Sequence, residues 1–188
     1  MTTPAAPNDR AAFERLYAAH ERPVLAFCLR RTPNPADAEE AAAETFVIAW
    51  RRLTDAPAGD NHLPWLYAIA RRVLANQRRG GGRRVRLLDR LRSQPPDVPM
   101  AERPGPALAA LERLRPEDQE LLRLVAWEEL SHAEIAVVMG VTPNAVAIRL
   151  HRARGRFAEE LTKGSEPGRT SSGVKGRMFG RPRRENSE

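Results

Sequence analysis

The chain carries one cysteine in 188 residues, Cys28, so no disulfide can form within it. Cys28 lies in an apolar run with Val24, Leu25, Phe27 and Leu29, which marks it as a plain buried thiol. Long apolar runs are missing as well. Nothing approaches the ~18 residues of a membrane span, and the opening MTTPAAPNDR lacks the basic-then-apolar order of a signal peptide. The cytoplasm is therefore the expected compartment. No stretch alternates apolar and polar residues as a half-buried strand would, so an all-α fold is expected. The four histidines, His20, His62, His132 and His151, are scattered, no H-E-x-x-H occurs, and no glycine-rich loop follows a strand. Neither a metal nor a cofactor is expected, and catalysis by this chain is not expected either.

Lysine is nearly absent too, with Lys163 and Lys175 the only two among 31 basic residues. What is present instead is arginine. The net charge of +7 and the pI near 10.8 favour an anionic partner, nucleic acid ahead of a membrane surface. The charge is concentrated: residues 61–94 hold 9 basic and 1 acidic side chains, a sum of +8, whereas residues 1–60 sum to −2 and residues 95–162 to −3. Residues 163–188 add +4.

Helical periodicity divides the chain into two small domains. Residues 1–9 read as disordered. A first helix is expected from Asp9 to Arg31, bent or split at Pro23. Asn34-Pro35 supplies a cap and a first-turn proline for a second helix to Leu53, with Ala38, Ala42, Phe46, Ala49 and Leu53 on its inner stripe. A turn-rich loop, TDAPAGDNHLP (54–64), leads to a third helix ending near Arg79 that buries Leu66, Ile69, Ala70 and Val73. The first domain thus spans 10–80. Gly80–Gly82, PPDVP and RPGP make 81–106 a flexible linker. The second domain spans 107–161, in helical stretches 107–114, 116–128, 131–139 and 143–161. The tail, 162–188, has almost nothing to bury and reads as disordered and basic.

The segment SHAEIAVVMGVTPNAVAIRLHRARGRF (131–157) has the pattern of a helix-turn-helix. Ser131 and Glu134 form a capping box, Gly140 stands where the chain reverses, and Thr142-Pro143 opens the second helix. Val146, Leu150, Ala153 and Phe157 face inward; Asn144, Ile148, His151 and Arg152 face outward, with Arg149, Arg154 and Arg156 on the flanks. A basic helix of short side chains after a tight turn suits a major groove. A helical hairpin with a solvated arginine face is the plainer alternative.

With both halves read, the chain resembles the extracytoplasmic-function (ECF) sigma factors, the smallest class of the sigma-seventy family of bacterial RNA polymerase initiation subunits. The resemblance covers about residues 11–160 and rests on FERLYAAHERPVLAFCLRR, DAEEAAAETFVIAWRRL, PWLYAIARRVLANQRR and the segment from LERLRPEDQE to RGRF, in the family's order. It implies that residues 10–80 are sigma region two, which binds the polymerase clamp and recognises and melts the minus-ten element. It implies that residues 107–161 are sigma region four, whose helix-turn-helix reads the minus-thirty-five element. By the same resemblance Asp37, Glu40 and Glu44 would bind polymerase. Residues 59–63 would form the loop that receives a flipped base, with Asn61 and His62 as base readers. Unpaired bases need faces to stack on and polar groups at their edges, while arginines hold phosphates. Trp65, Arg72 and Asn76 along one edge of the third helix, and Tyr67, Arg71, Arg78 and Arg79 along the other, are the candidates. Trp65 reads more readily as a partly buried packing residue than as a stacking platform. Thr142, Asn144, Ile148, Arg149, His151 and Arg152 would contact the minus-thirty-five duplex.

The expected partners are core polymerase, promoter DNA and an anti-sigma factor, with no membrane insertion. The chain departs from the family at Arg72, often Asn there, and at Ala145 and Ala147, where the family often has Thr and a basic residue. The rival reading is a stand-alone helix-turn-helix regulator that binds duplex DNA without polymerase, its residues 11–80 serving as a sensor or dimer domain.

Overall fold

A computed structural model describes residues 7–89 and 105–165, and among them every regular element is helical. Three helices build the first domain: α1 (Pro7–Leu29), α2 (Pro35–Arg51) and α3 (His62–Asp89). Four build the second: α4 (Pro106–Glu112), α5 (Pro116–Ala126), α6 (His132–Met139) and α7 (Pro143–Ser165).

Helix α1 turns Leu16, Val24, Phe27 and Cys28 into the core. Pro23 lies inside this single helix and does not divide it. A proline removes the bond to the carbonyl four residues back; that carbonyl belongs to exposed Ala19, where water can replace the missing donor. Burial pushes the Cys28 thiol up to about 11, against a smaller opposing pull from Arg31, which fits an inert core thiol.

Helix α2 starts as its sequence requires. The Asn34 side chain accepts from the Ala36 N–H at 3.1 Å, and Pro35 occupies the first turn. Its inner face is almost all alanine: Ala38, Ala41, Ala42 and Ala49 are buried with Thr45 and Phe46. Small side chains let α2 approach both α1 and α3 closely, and Thr45 satisfies its hydroxyl by donating to the Ala41 carbonyl at 2.7 Å. Leu53 is half-buried in a following 3-10 turn, Leu53–Asp55, and not on the helix itself.

Helix α3 buries two faces. Leu66, Ile69, Ala70 and Val73 are buried as expected, and Tyr67 and Leu74 join them, Tyr67 only 3% exposed. The helix contacts α1 and α2 and also packs against α6, so one apolar cluster runs through both domains. Its backbone also continues past Arg79 through Gly80–Gly82 to Asp89. Each glycine weakens a helix by only about 1 kcal/mol, and arginines, good helix formers, stand on both sides of the run. Helical backbone thus runs into the segment expected as the linker, whose residues 90–104 lie outside the described ones. At the ends, α1 takes in Pro7 to Asp9 and α7 extends to Ser165, beyond the limits expected for the disordered termini; residues 1–6 and 166–188 are not described.

The second domain matches its sequence grammar closely. Ser131 Oγ accepts from the Glu134 N–H at 3.3 Å while the Ser131 N–H donates to Glu134 Oε2 at 2.8 Å. Gly140 sits at φ 67°, ψ 41°, and its N–H reaches the Ala136 carbonyl at 2.9 Å. Thr142 Oγ1 accepts from the Ala145 N–H at 3.2 Å. Ion pairs Arg156–Asp118 at 2.7 Å and Arg113–Glu160 at 3.0 Å tie α7 to α5 and to the end of α4.

Two glycines of this half, Gly140 and Gly155, separate backbone strain from packing. A Cβ at Gly140 or at Gly155 would meet nothing within 4 Å, but only Gly140 has a positive φ. Gly140→Ala should therefore lower unfolding stability by about 1–2 kcal/mol, whereas Gly155→Ala inside α7 should raise it by about 0.5–1 kcal/mol. Urea unfolding followed by far-ultraviolet circular dichroism reads both signs.

Candidate functional site

Three surfaces carry the residues singled out by sequence. The first is the outer face of α2, where Asp37, Glu40 and Glu44 are all exposed at helical spacing, opposite the alanine stripe. An apolar hollow adjoins it, lined by Phe13, Tyr17, Phe46, Val47 and Trp50. Its rings pack edge to face, with Phe13 and Trp50 centroids 5.0 Å apart and those of Tyr17 and Phe46 4.7 Å apart. Val47, 48% exposed, shares the outer face of α2 with Glu40 and Glu44. Sequence reading missed the hollow because its apolar residues come half from α1. The signal available was Val47, which breaks the polar register of the outer face.

The second surface is the start of α3 and the loop before it. The loop makes a second 3-10 turn, Gly59–Asn61, with Gly59 at φ 72°. Asn61 is exposed and His62 half-buried, so the two expected base readers do not share one environment. His62 lines a cavity of about 410 Å³ with Arg15, Leu16 and His20 of α1 and with Leu53 and Ala56 to Ala58 of the loop. The rings of His20 and His62 stand 6.2 Å apart, tilted by 44°. Burial, and then the neighbouring His62, hold His20 below the ordinary imidazole range, so its neutral form is favoured. Arg15 and His20 were not among the expected site residues; His20 four residues after Leu16 was the only hint.

Along α3 itself Arg72, Asn76, Arg78 and Arg79 are exposed and Arg71 is half-buried. Arg79 donates to the Asn76 side chain, and Arg78 Nη2 donates to the Arg31 carbonyl at 3.4 Å. Trp65 is half-buried and packs on the core, in keeping with a packing role. Tyr67 corrects the expectation made for it. Its ring is stacked on Phe27 at 4.5 Å and 15° between planes, and burial, with Glu128 next, pushes its hydroxyl up to about 12. A ring enclosed in this way offers no face to a base. The helical wheel placed it outward because the ring that covers it, Phe27, comes from another helix, α1.

The third surface is the helix-turn-helix. Thr142, Asn144, Arg149, His151 and Arg152 are exposed, and Ile148 stands 46% exposed beside them. Val146, Leu150 and Ala153 are buried on the opposite side, with Phe157 half-buried below them. Among the described residues neither Arg149 nor Arg152 is in an ion pair, so both guanidinium groups remain available to phosphates or bases. Arg156, on the flank, is paired with Asp118 of α5.

The comparisons with known proteins agree with this arrangement. Residues 16–84 match the family model for sigma-70 region 2, and residues 106–157 match the one for sigma-70 region 4. The RNA polymerase sigma factor CarQ of Myxococcus xanthus is 31% identical over 159 residues, covering 80% of this chain and 89% of that protein. The ECF RNA polymerase sigma factor BldN of Streptomyces coelicolor is 32% identical over 166 residues, 84% of this chain and 63% of its own length. Among solved structures, the sigma factor RpoE bound to the anti-sigma factor NepR from Bartonella quintana superposes with a TM-score of 0.60 at 23% identity, covering 80% of this chain and 97% of that one. CnrH bound to the cytosolic domain of CnrY gives 0.59 at 24%, covering 82% and 90%. Those two likenesses speak to the fold, while the family models and the relatives speak to descent: the chain belongs to the sigma-70 family, as a member of its extracytoplasmic-function class.

Proposed function

We propose that this sigma factor, which directs core RNA polymerase to promoters, divides its work among the three surfaces described above. The observation that carries the assignment is separation. The acidic face of α2, the basic face of α3 and the unpaired arginines of α7 lie on different helices, so each can hold a different partner. The rival reading, a free-standing regulator, has no use for a first domain that matches sigma-70 region 2. The proposed compartment is the cytoplasm, where polymerase and promoters meet; among the described residues no single helix is long and apolar enough to cross a membrane. An anti-sigma factor is a further proposed partner, supported by the solved relatives caught in such complexes.

The α2 face binds the polymerase clamp through Asp37, Glu40 and Glu44, with the apolar hollow at Val47 and Trp50 beside them. Acidic rim and apolar hollow together suit a basic helix with an apolar edge. The cavity at His62 receives one unpaired base of the minus-ten element: it is concave, lined by two imidazoles and by loop residues, and it stands at the start of the helix whose later turns carry the arginines that hold the strand. Arg71, Arg72, Arg78 and Arg79 attract phosphates without regard to sequence, and Asn76 can meet a base edge. On α7, Arg149 and Arg152 hold the minus-thirty-five duplex, Asn144 and His151 reach base edges, and exposed Ile148 can meet a thymine methyl.

Each surface has its own test. Replacing Asp37, Glu40 and Glu44 by Lys should abolish co-purification with core polymerase and leave the helical spectrum unchanged, since all three point away from the core. Undiminished co-purification would leave the face merely solvated. Arg149→Ala with Arg152→Ala should weaken promoter binding and flatten its log–log salt dependence by ~2 units, with polymerase association intact. His62→Ala should weaken the open complex more than Asn61→Ala does, by ~1–3 kcal/mol of lost base discrimination, and a template mismatched at its minus-ten region should rescue it. Changing the four arginines of α3 to Gln should weaken both open and closed complexes on either template. Permanganate footprinting of unpaired thymines separates these outcomes.

A further inference from the structure

Arg31, just after α1, belongs to none of the surfaces above, yet its side chain is 1% exposed. Its Nε donates to both carboxylate oxygens of Glu120 at 3.1 Å, and its Nη1 donates to Glu128 at 2.8 Å and to the Phe27 carbonyl at 3.1 Å. The guanidinium lies 3.4 Å above the Phe27 ring centroid, and Arg30 makes a further pair with Glu128. One donor group is left over: Nη2 is buried with no hydrogen-bond partner among the described residues. Arg123 Nε, on α5, is left over in the same way. Buried donors are nearly always paired, because an unmet one gives up its hydration without return.

Both side chains line one cavity of about 390 Å³, together with Arg71, Arg72, Arg78 and Arg79 of α3. The acids among its lining residues are Glu117 and Glu120, so six guanidinium groups meet two carboxylates, a surplus of four positive charges. Glu120 is already held by Arg31. Among the described residues none of Arg71, Arg72, Arg78, Arg79 and Arg123 is in an ion pair. The crowding is felt at Arg123: burial holds its guanidinium below the ordinary range, Glu120 opposes this, and Arg31 and Arg78 add to it.

Like charges gathered in a concavity concentrate positive potential, and guanidinium forks match phosphoryl oxygens in pairs. No aromatic side chain lines the cavity, so the phosphoryl group is what it can recognise, with no ring there to stack a base. Its volume stands near the small end of small-molecule sites, about 300–1,000 Å³. A single phosphate carries about −1.5 to −2 at neutral pH and offsets at most half of the surplus; two linked phosphates offset most of it. We infer that this cavity between α3 and α5, with the unmet donors of Arg31 and Arg123 in its lining, is a binding site for a small diphosphate, either free pyrophosphate or the pyrophosphoryl end of a nucleotide. The site does not depend on the strand-holding role proposed for α3, because Arg31 and Arg123 lie outside that surface.

The test is calorimetric titration of the full chain with sodium pyrophosphate, in a magnesium-free chloride buffer of constant ionic strength. The parent should bind one equivalent saturably. Arg123→Gln should weaken that binding about ten-fold or more, the share of one charge-assisted hydrogen bond. Arg123→Lys, which keeps the charge and loses the fork, should weaken it less. Arg152→Gln on α7 removes the same charge elsewhere and should leave it unchanged. Pyrophosphate should raise the thermal midpoint of the parent and not that of Arg123→Gln, whereas sulfate at equal ionic strength should raise neither. Arg123→Gln should also keep the parent's far-ultraviolet spectrum and its affinity for a short single-stranded DNA. ADP identifies the source: weaker binding than pyrophosphate assigns the free anion, and equal or tighter binding assigns a nucleotide. Unsaturable binding, equal weakening by Arg123→Gln and Arg152→Gln, or a loss of DNA affinity in Arg123→Gln that matches its loss for pyrophosphate would overturn the site. None of these measurements needs polymerase or a promoter, so failure here leaves the three-surface reading standing.

Discussion

One buried guanidinium organises the relation between the two halves of the molecule. Arg31 sits with two carboxylates, a second arginine and an aromatic face, in a cluster whose formal charges cancel. Burying such a group yields little net stability, because the desolvation of each ion offsets most of the attraction. What it confers is geometry. A guanidinium fork accepts carboxylates only from certain directions, so the two domains have one way to close. Removing a single partner leaves uncompensated buried charge, typically a loss of about 3–5 kcal/mol if the seam stays shut. Separation relieves that penalty at once, and this distinguishes a seam between domains from a core.

The same constraint explains which parts of the structure could be read in advance. Much that near neighbours govern was legible: the Asn34 cap, the capping box at Ser131, the left-handed Gly140, the alanine stripe of α2 and the outward set Asn144, Ile148, His151 and Arg152. These depend on offsets of a few residues, and the periodicities of a helix fix them. Arg31 reaches Glu120 and Glu128 across 89 and 97 positions of sequence, and no local pattern announces it. Tyr67 was assigned to the wrong face because Phe27, the ring stacked on it, comes from another helix, α1. A helical wheel reveals one apolar stripe, but α3 buries a second, and the partner that covers it comes from beyond the linker. The acidic face of α2 was legible as charge, and its apolar hollow was not, since Phe13 and Tyr17 arrive from α1.

The cavity at His62 shows an intermediate case. The loop was identified by its turn residues, and His62 does line a concave site. Its other wall is α1, whose His20 is held neutral by burial. A neutral imidazole can donate from one nitrogen and accept at the other, which suits the mixed edge of a base better than a cation would. The pair of rings therefore matters through hydrogen-bond capacity and shape. Asn61 is exposed and does not line that cavity.

Arginine appears in three chemically different settings here. On α7 it is exposed and unpaired, ready for phosphate or base edges. At Arg156 and Arg113 it clamps helices of one domain through single ion pairs. At Arg31 it is fully enclosed, bridging two acids and stacking on a ring. Only the last demands a guanidinium, since an ammonium group is more strongly hydrated and lacks the planar fork. The arginines of α3 resemble the first setting: Arg72, Arg78 and Arg79 are exposed, and they line a cavity that Glu117, Glu120 and Arg123 of α5 close from the other side.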